Sequence, residues 1–174
     1  MVNIREMADA DIETVAGIRV AGWRHAYAGL VPQHHLDAMD ARADAAHHRA
    51  RLASGTDPAV NTVAETTDGV VGWVCYGPCR DADQPPGTGE LYAVYVRPEL
   101  IGTGVGRALW AAALEGARER GWERMVLWAL KGNVRARLFY ERAGCAPDGA
   151  ERPGDVGGTA VPEVRYVLEP DRGP

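Results

Sequence analysis

A chain of 174 residues that is 46% hydrophobic and 25% charged can bury one core without disulfide or metal staples, and its composition is that of a soluble globular domain. A formal net charge of −5 without a basic run argues against a nucleic-acid surface, and a mildly acidic exterior favours cationic partners weakly, because salt screens exposed charge. The start, MVNIREMADADIETV, lacks the apolar stretch of a secretory signal, and the apolar run 108–114 is too short to span a bilayer. One cytoplasmic domain over residues 1–174, with no membrane partner, is therefore expected.

Residues 2–6 (VNIRE) read as a short strand, with Asp9 as the N-cap of the helix that follows. In that helix Ile12, Val15, Ala16, Val20 and Trp23 recur at helical spacing. After a break at Gly29, Pro32 opens a second helix toward Met39, and residues 42–53 form a polar surface helix. The period then changes. Residues 61–66 and 70–76 are β-branched and aromatic runs joined by Asp68-Gly69, a hairpin signal. Residues 79–87 read as a loop. The third strand of this meander, ELYAVYV over 90–96, is apolar on both faces and is expected to be buried on both.

A glycine-rich turn over residues 102–106 leads into a helix through Leu109, Trp110, Ala113, Leu114 and Ala117, which Gly121 ends. RMVLWA over 124–129 is another strand. Asn133 caps a helix whose Ala136, Phe139, Tyr140 and Ala143 share one face, with Gly144 as its C-cap. Two strands close the chain, near 145–147 and 161–168, across a Gly-rich loop. The order of elements predicts a mixed α+β fold with helices on the faces of the sheet.

The glycine turn has three readings. Its glycines serve geometry alone, or they let backbone approach an anion at a helix N-terminus, where free N–H groups and the macrodipole favour phosphate. A dinucleotide fingerprint needs G-x-G-x-x-G and an acidic residue after the next strand, and neither is present. A P-loop is excluded because Lys131, the one lysine, lies outside the turn. Coenzyme A is the third.

Here the chain resembles a known family. Ile101-Gly-Thr-Gly-Val-Gly106 stands where the GNAT superfamily of acetyl-CoA-dependent N-acetyltransferases carries Q/R-x-x-G-x-G/A. ELYAVYV-RPE is similar to that family's fourth strand, and Asn133-x-x-Ala-x-x-Phe-Tyr-Glu-x-x-Gly144 to its second signature. The resemblance covers residues 2–169. It implies the GNAT acyl-CoA N-acyltransferase fold, an αβα arrangement around a mostly antiparallel sheet, and acetyl-CoA as co-substrate. Backbone groups of Val94, Tyr95 and Val96 would hold the pantetheine arm; Gly102, Thr103, Gly104, Val105, Gly106 and Arg107 would hold the diphosphate, with Asn133 further along. Ile101 departs from the family's Arg or Gln, a lost charged bond of about 1.5–3 kcal/mol unless Arg97, Arg107 or Arg135 replaces it.

The implied reaction is acetyl transfer to a primary amine of a small molecule or peptide, directly within a ternary complex. A lysine-like amine with a pKa near ~10.4 is neutral in only about one molecule in two thousand at pH 7, a handicap of roughly 4–5 kcal/mol that calls for a base or a water relay. Glu90, isolated in an apolar strand, is the candidate base; pairing with an arginine is the competing reading. Tyr140 matches the tyrosine that protonates the leaving thiolate, against a plain core role. A backbone N–H near Val96 is the expected oxyanion donor. Trp23 and Tyr27 fall where the family lines its acceptor cleft, with a core aromatic on an amphipathic helix as the competing reading for Trp23. The resemblance further implies a homodimer. A non-catalytic acyl-CoA-binding or sensing domain on the same fold is the alternative.

No metal is expected. Cys75 and Cys79 lack a second pair, and the His34-His35 and His47-His48 doublets do not share a helix face. The three scattered cysteines suit a reducing compartment.

Overall fold

The computed structural model describes residues 1–169. Seven strands form one sheet in the order β1-β2-β3-β4-β5-β7-β6. In chain order β1 (Asn3–Glu6) leads to α1 (Ile12–Ala26), α2 (Gln33–Ala38) and α3 (Ala41–Ala53); β2 (Val60–Thr66), β3 (Gly69–Pro78) and β4 (Thr88–Val96) form the meander. The crossover helix α4 (Val105–Glu119) leads to β5 (Arg124–Leu130), and α5 (Val134–Arg142) precedes the hairpin of β6 (Ala146–Val156) and β7 (Thr159–Leu168). Every neighbouring pair is antiparallel except β4 with β5, as a helical crossover requires.

Two helical layers cover the sheet. On one face Leu109, Trp110 and Ala113 of α4 and Tyr140 of α5 pack with Val74, Leu127 and Tyr166 in the main core. On the other, Val15 and Ile18 of α1 meet Val63 and Trp73. A fully buried aliphatic side chain contributes about 1.5–3 kcal/mol, so these two stripes orient the helices. Gly116 lets α4 settle on the sheet: a Cβ there would lie 2.0 Å from the Tyr76 hydroxyl.

Several boundaries differ from the sequence reading. Asp9 does not cap α1; it opens a 3-10 turn, and the Asp11 carboxylate instead accepts the Ala8 N–H at 2.8 Å and the Arg5 guanidinium. Asp40 caps α3, accepting from the Arg42 and Ala43 amides. β6 runs for 11 residues through DGAERPGDV, where a loop was expected. It lies at the sheet edge, where prolines cost no ladder bonds, so Pro147 and Pro153 mask a strand without preventing one.

β4 is not buried along its whole length. Thr88–Leu91 is buried, whereas residues 92–96 are half-buried. β4 pairs with β5 only from Thr88↔Arg124 to Leu91↔Leu127. The partners of β4 on β3 jump from Ala93 to Leu91 between Cys75 and Tyr76, which leaves Tyr92 as an extra residue. That bulge bends β4 away from β5. β5 meanwhile stays paired with β7 out to Leu130↔Glu163. The sheet therefore splits into a V whose vertex is Leu91–Leu127.

Candidate active site

The split leaves one edge of β4 without a strand partner. The Arg97 N–H donates to the Val71 carbonyl at 2.9 Å, so by alternation residues 93, 95 and 97 address β3, and the N–H and C=O groups of Val94 and Val96 face the open V. Of the three strand residues expected to hold an extended ligand by backbone, Val94 and Val96 turn their N–H and C=O groups away from β3. The Tyr95 backbone is turned to β3.

The glycine turn lies at the open end of the same groove, joined to β4 by a 3-10 turn, Pro98–Leu100. Gly102 and Gly104 have φ of +87° and +98°, values that side-chain-bearing residues avoid. These conformations bring the chain into the first turn of α4. Among the described residues the amides of Gly104, Val105, Gly106 and Arg107 find no acceptor, and the first helical bond is Ala108 N–H to the Gly104 carbonyl. There is no acidic residue in that first turn. Thr103 closes the turn with its hydroxyl on the Leu100 carbonyl at 2.6 Å. The Arg107 guanidinium folds back over it, with Nη2 3.5 Å from where a Cβ on Gly104 would stand, which sets a cation where Ile101 supplies none. Asn133 accepts the Ala136 N–H at 3.2 Å as the cap of α5.

Three tyrosines border the split. Tyr140, 9% exposed, packs on Trp110 and on Tyr166, and Tyr166 pairs with Leu127. From the other face the Tyr27 hydroxyl lies 3.2 Å from that of Tyr95. Burial pushes the pKa of all three above the ordinary phenol value, and the proximity of the Tyr27 hydroxyl pushes Tyr140 further.

Glu90 is not the isolated carboxylate that its strand suggests. It is 1% exposed, and its oxygens accept from the Arg80 backbone N–H at 2.9 Å, Nε at 3.1 Å and Nη2 at 2.6 Å. The Arg80 guanidinium also lies 4.1 Å from the Tyr92 ring centroid. This pair pins the β3–β4 loop. Arg165, 5% exposed, does the same from β7 by holding Asp81, Asp83 and Asp148.

Trp23 and Tyr27, T-shaped at 4.8 Å, line a cavity of about 420 Å³ together with Trp128, Arg152, Asp155 and Glu163. None of the last four was read as a site residue: Arg152 and Asp155 fell in an expected loop, and Trp128 and Glu163 were read only as members of strands. His35 packs on Trp23 and His48 on Trp73. Among the described residues no group of three or more His, Cys, Asp or Glu is arranged to hold a metal ion, and no helix is long and apolar enough to cross a membrane. The three cysteines are free thiols.

Comparison with known proteins agrees with this geometry. Residues 23–145 match the family model described as Acetyltransferase (GNAT) family. The chain is 30% identical over 141 residues to the uncharacterized N-acetyltransferase YuaI of Bacillus subtilis (strain 168), covering 81% of this chain and 78% of that one. A mycothiol acetyltransferase of Thermobispora bispora is 40% identical over 91 residues, which span 51% of this chain but only 30% of that protein. The PaiA N-acetyltransferase of Thermoplasma acidophilum, solved with coenzyme A, superposes with a TM-score of 0.70 at 19% identity, over 94% of this chain and 98% of that one, and so shares the fold. The family model spans well over half of the chain and the Bacillus subtilis relative most of it: the chain belongs to the GNAT acetyltransferases.

Proposed function

We propose that the chain transfers the acetyl group of acetyl-CoA to a primary amine by direct attack within a ternary complex. The observation that carries this reading is the succession of two unsatisfied backbone surfaces. The open edge of β4 is followed, across one 3-10 turn and the glycine turn, by the free amides of α4. A strand-like amide arm fits the first and a diphosphate the second. The fit is chemical as well as spatial: Arg107 adds a cation beside the amides, and Asn133 stands at the head of α5.

The groove has a direction. With the diphosphate at the α4 end, the thioester lies deeper, toward the Leu91–Leu127 vertex, so the Val94 N–H is the better oxyanion donor than Val96. Tyr140 stands at that vertex with a hydroxyl that no other side chain engages. The amine enters from the α1 face past Tyr27. Its nitrogen forms the new bond to the acetyl carbon, the carbon–sulfur bond breaks, and the Tyr140 proton goes to the departing sulfur. The ammonium proton leaves through water in the cleft, and solvent restores the phenol. Burial raises the pKa of Tyr140, but it raises that of a thiolate in the same setting too. The transfer therefore stays within reach of its cost in water, about 2 kcal/mol from phenol to thiolate.

In this reading Glu90 braces the cleft and does not serve as the base, because both of its oxygens are occupied by Arg80. The test is acetyl-CoA-dependent release of thiol on a panel of primary amines, with steady-state lines that intersect. Parallel lines would indicate a covalent acyl-enzyme. Binding of acetyl-CoA without turnover of any amine would support the competing reading, a binding or sensing domain.

A further inference from the structure

The acceptor cavity carries a charge pattern that narrows the amine, an inference that rests on the transferase reading above. The cavity, about 420 Å³, is of a size for a small molecule. Its inner wall is the faces of Trp23 and Tyr27, at right angles to each other. Its outer wall is Trp128, on which the chain stacks its own cation: the Arg152 guanidinium stands 4.0 Å from the Trp128 ring centroid.

The carboxylates around that guanidinium outnumber it. The Nε of Arg152 donates to Glu163 Oε2 at 2.6 Å, and its Nη1 is 3.8 Å from Asp81. Asp81 is shared with Arg165, which is itself surrounded by Asp83 and Asp148. Asp155 lines the cavity and, among the described residues, forms no ion pair; it accepts the Gly158 N–H at Oδ1, 3.3 Å away. Across this cluster five carboxylates meet two guanidiniums; of the lining itself, Asp155 and Glu163 face the single guanidinium of Arg152, and Arg19, over the Trp23 ring, is neutralised by Asp44. Glu163 Oε1 and Asp155 Oδ2 are the oxygens left unengaged, and both residues line the cavity beside the two aromatic faces. Low-dielectric aromatic walls concentrate the field of such an excess, and ring faces themselves attract cations.

We propose that the acceptor is a compact primary amine that carries a second cationic group, ammonium or guanidinium, at its far end. The reacting amine lies at the Tyr27 end, which leads to Tyr95 and Tyr140. The second cation is held between Asp155 and Glu163. An acceptor with a carboxylate at that end meets two acids and a guanidinium already engaged, so free amino acids are poor acceptors.

A matched panel tests this: 1,4-diaminobutane, pentylamine and 4-aminobutanoate, which share a primary amine and differ only at the far end. At low salt kcat/KM falls in that order, with at least about tenfold between the diamine and the amino acid, and 0.5 M salt compresses the spread. Glu163→Gln and Asp155→Asn each lower the ratio of diamine to pentylamine several-fold, and retained acetyl-CoA binding shows that the variants are folded. Equal or better turnover of 4-aminobutanoate, or a ratio that neither substitution moves, overturns the proposal while leaving the transferase reading intact. Failure of every amine to release thiol, with acetyl-CoA bound, overturns the transferase reading and this inference with it.

Discussion

The hydroxyls of Tyr27 and Tyr95 lie 3.2 Å apart and join the end of α1 to the half of β4 that has left β5. Tyr27 also walls the cavity beside Trp23, so a single contact links the surface proposed for the amine to the strand proposed for the acyl donor. Gly22 makes the approach possible, since a Cβ there would stand 2.6 Å from Tyr95 Cδ1.

Gly22→Ala is therefore expected to push α1 off β4. Overpacking of this kind costs about 1–3 kcal/mol, and the damage falls on the α1 face. The KM for the amine should rise while acetyl-CoA affinity, measured by calorimetry, stays near that of the parent protein. A variant with weakened acetyl-CoA binding and an unchanged amine KM would contradict this division of the cleft.

Tyr140→Phe removes one oxygen that no other side chain engages. Its melting temperature should remain close to the parent value, whereas kcat should fall about a hundredfold or more, the usual scale for loss of a positioned proton donor. Stopped-flow or steady-state thiol release measures the loss. Full activity would return Tyr140 to a packing role beside Trp110.

Glu90→Gln should act on stability. The side chain is 2% exposed and its partner Arg80 62%, so the orphaned guanidinium stays solvated and the loss is about 1–2 kcal/mol. That corresponds to a melting temperature lower by roughly 3–6 °C for a chain of this size. The acid limb of the pH profile of kcat/KM should not move. A vanished limb with an unchanged melt would restore Glu90 as the base.

Gly104→Ala and Gly106→Ala should part company. At Gly104 the φ of +98° imposes strain of about 1–2 kcal/mol on any side chain and tilts the amides that await the diphosphate, so acetyl-CoA affinity should drop tenfold or more. At Gly106 a Cβ finds ordinary contacts, 3.7 Å from Phe139 and Val96, and the fold should hold. Thermal melts with and without acetyl-CoA distinguish the two.

Alkaline pH should weaken the fold through the same tyrosines. Burial raises Tyr27, Tyr95 and Tyr140 above the ordinary value of 10.0. The folded state then holds these protons more tightly than the unfolded chain. That contribution to stability is complete below pH 10 and is lost as pH climbs through the folded values. Denaturant melts between pH 8 and 12 should show the midpoint falling from about pH 10 upward, and Tyr27→Phe should make the fall shallower.

Much of this was legible in the sequence. Helical spacing located α1, α4 and α5, β-branched runs located β2 and β3, and Gly102, Gly104, Gly121 and Gly144 all take the positive φ that turns and helix ends demand. These are local properties, decided by backbone sterics and by which side chains fall on one face. The length of β6 beyond residue 147 escaped because Pro and Gly at a sheet edge look like a loop until a neighbour supplies the ladder.

What the amino acids determined by themselves is the set of elements and the glycine turn that exposes the α4 amides. Tertiary structure alone decided the rest: that Tyr92 bulges and parts β4 from β5, that Glu90 closes on Arg80 from a loop ten residues earlier, and that Asp155 and Glu163 meet Trp23 across the hairpin. Strand pairing and ion pairs depend on which distant segments arrive at one place, and spacing along a chain carries no record of that distance.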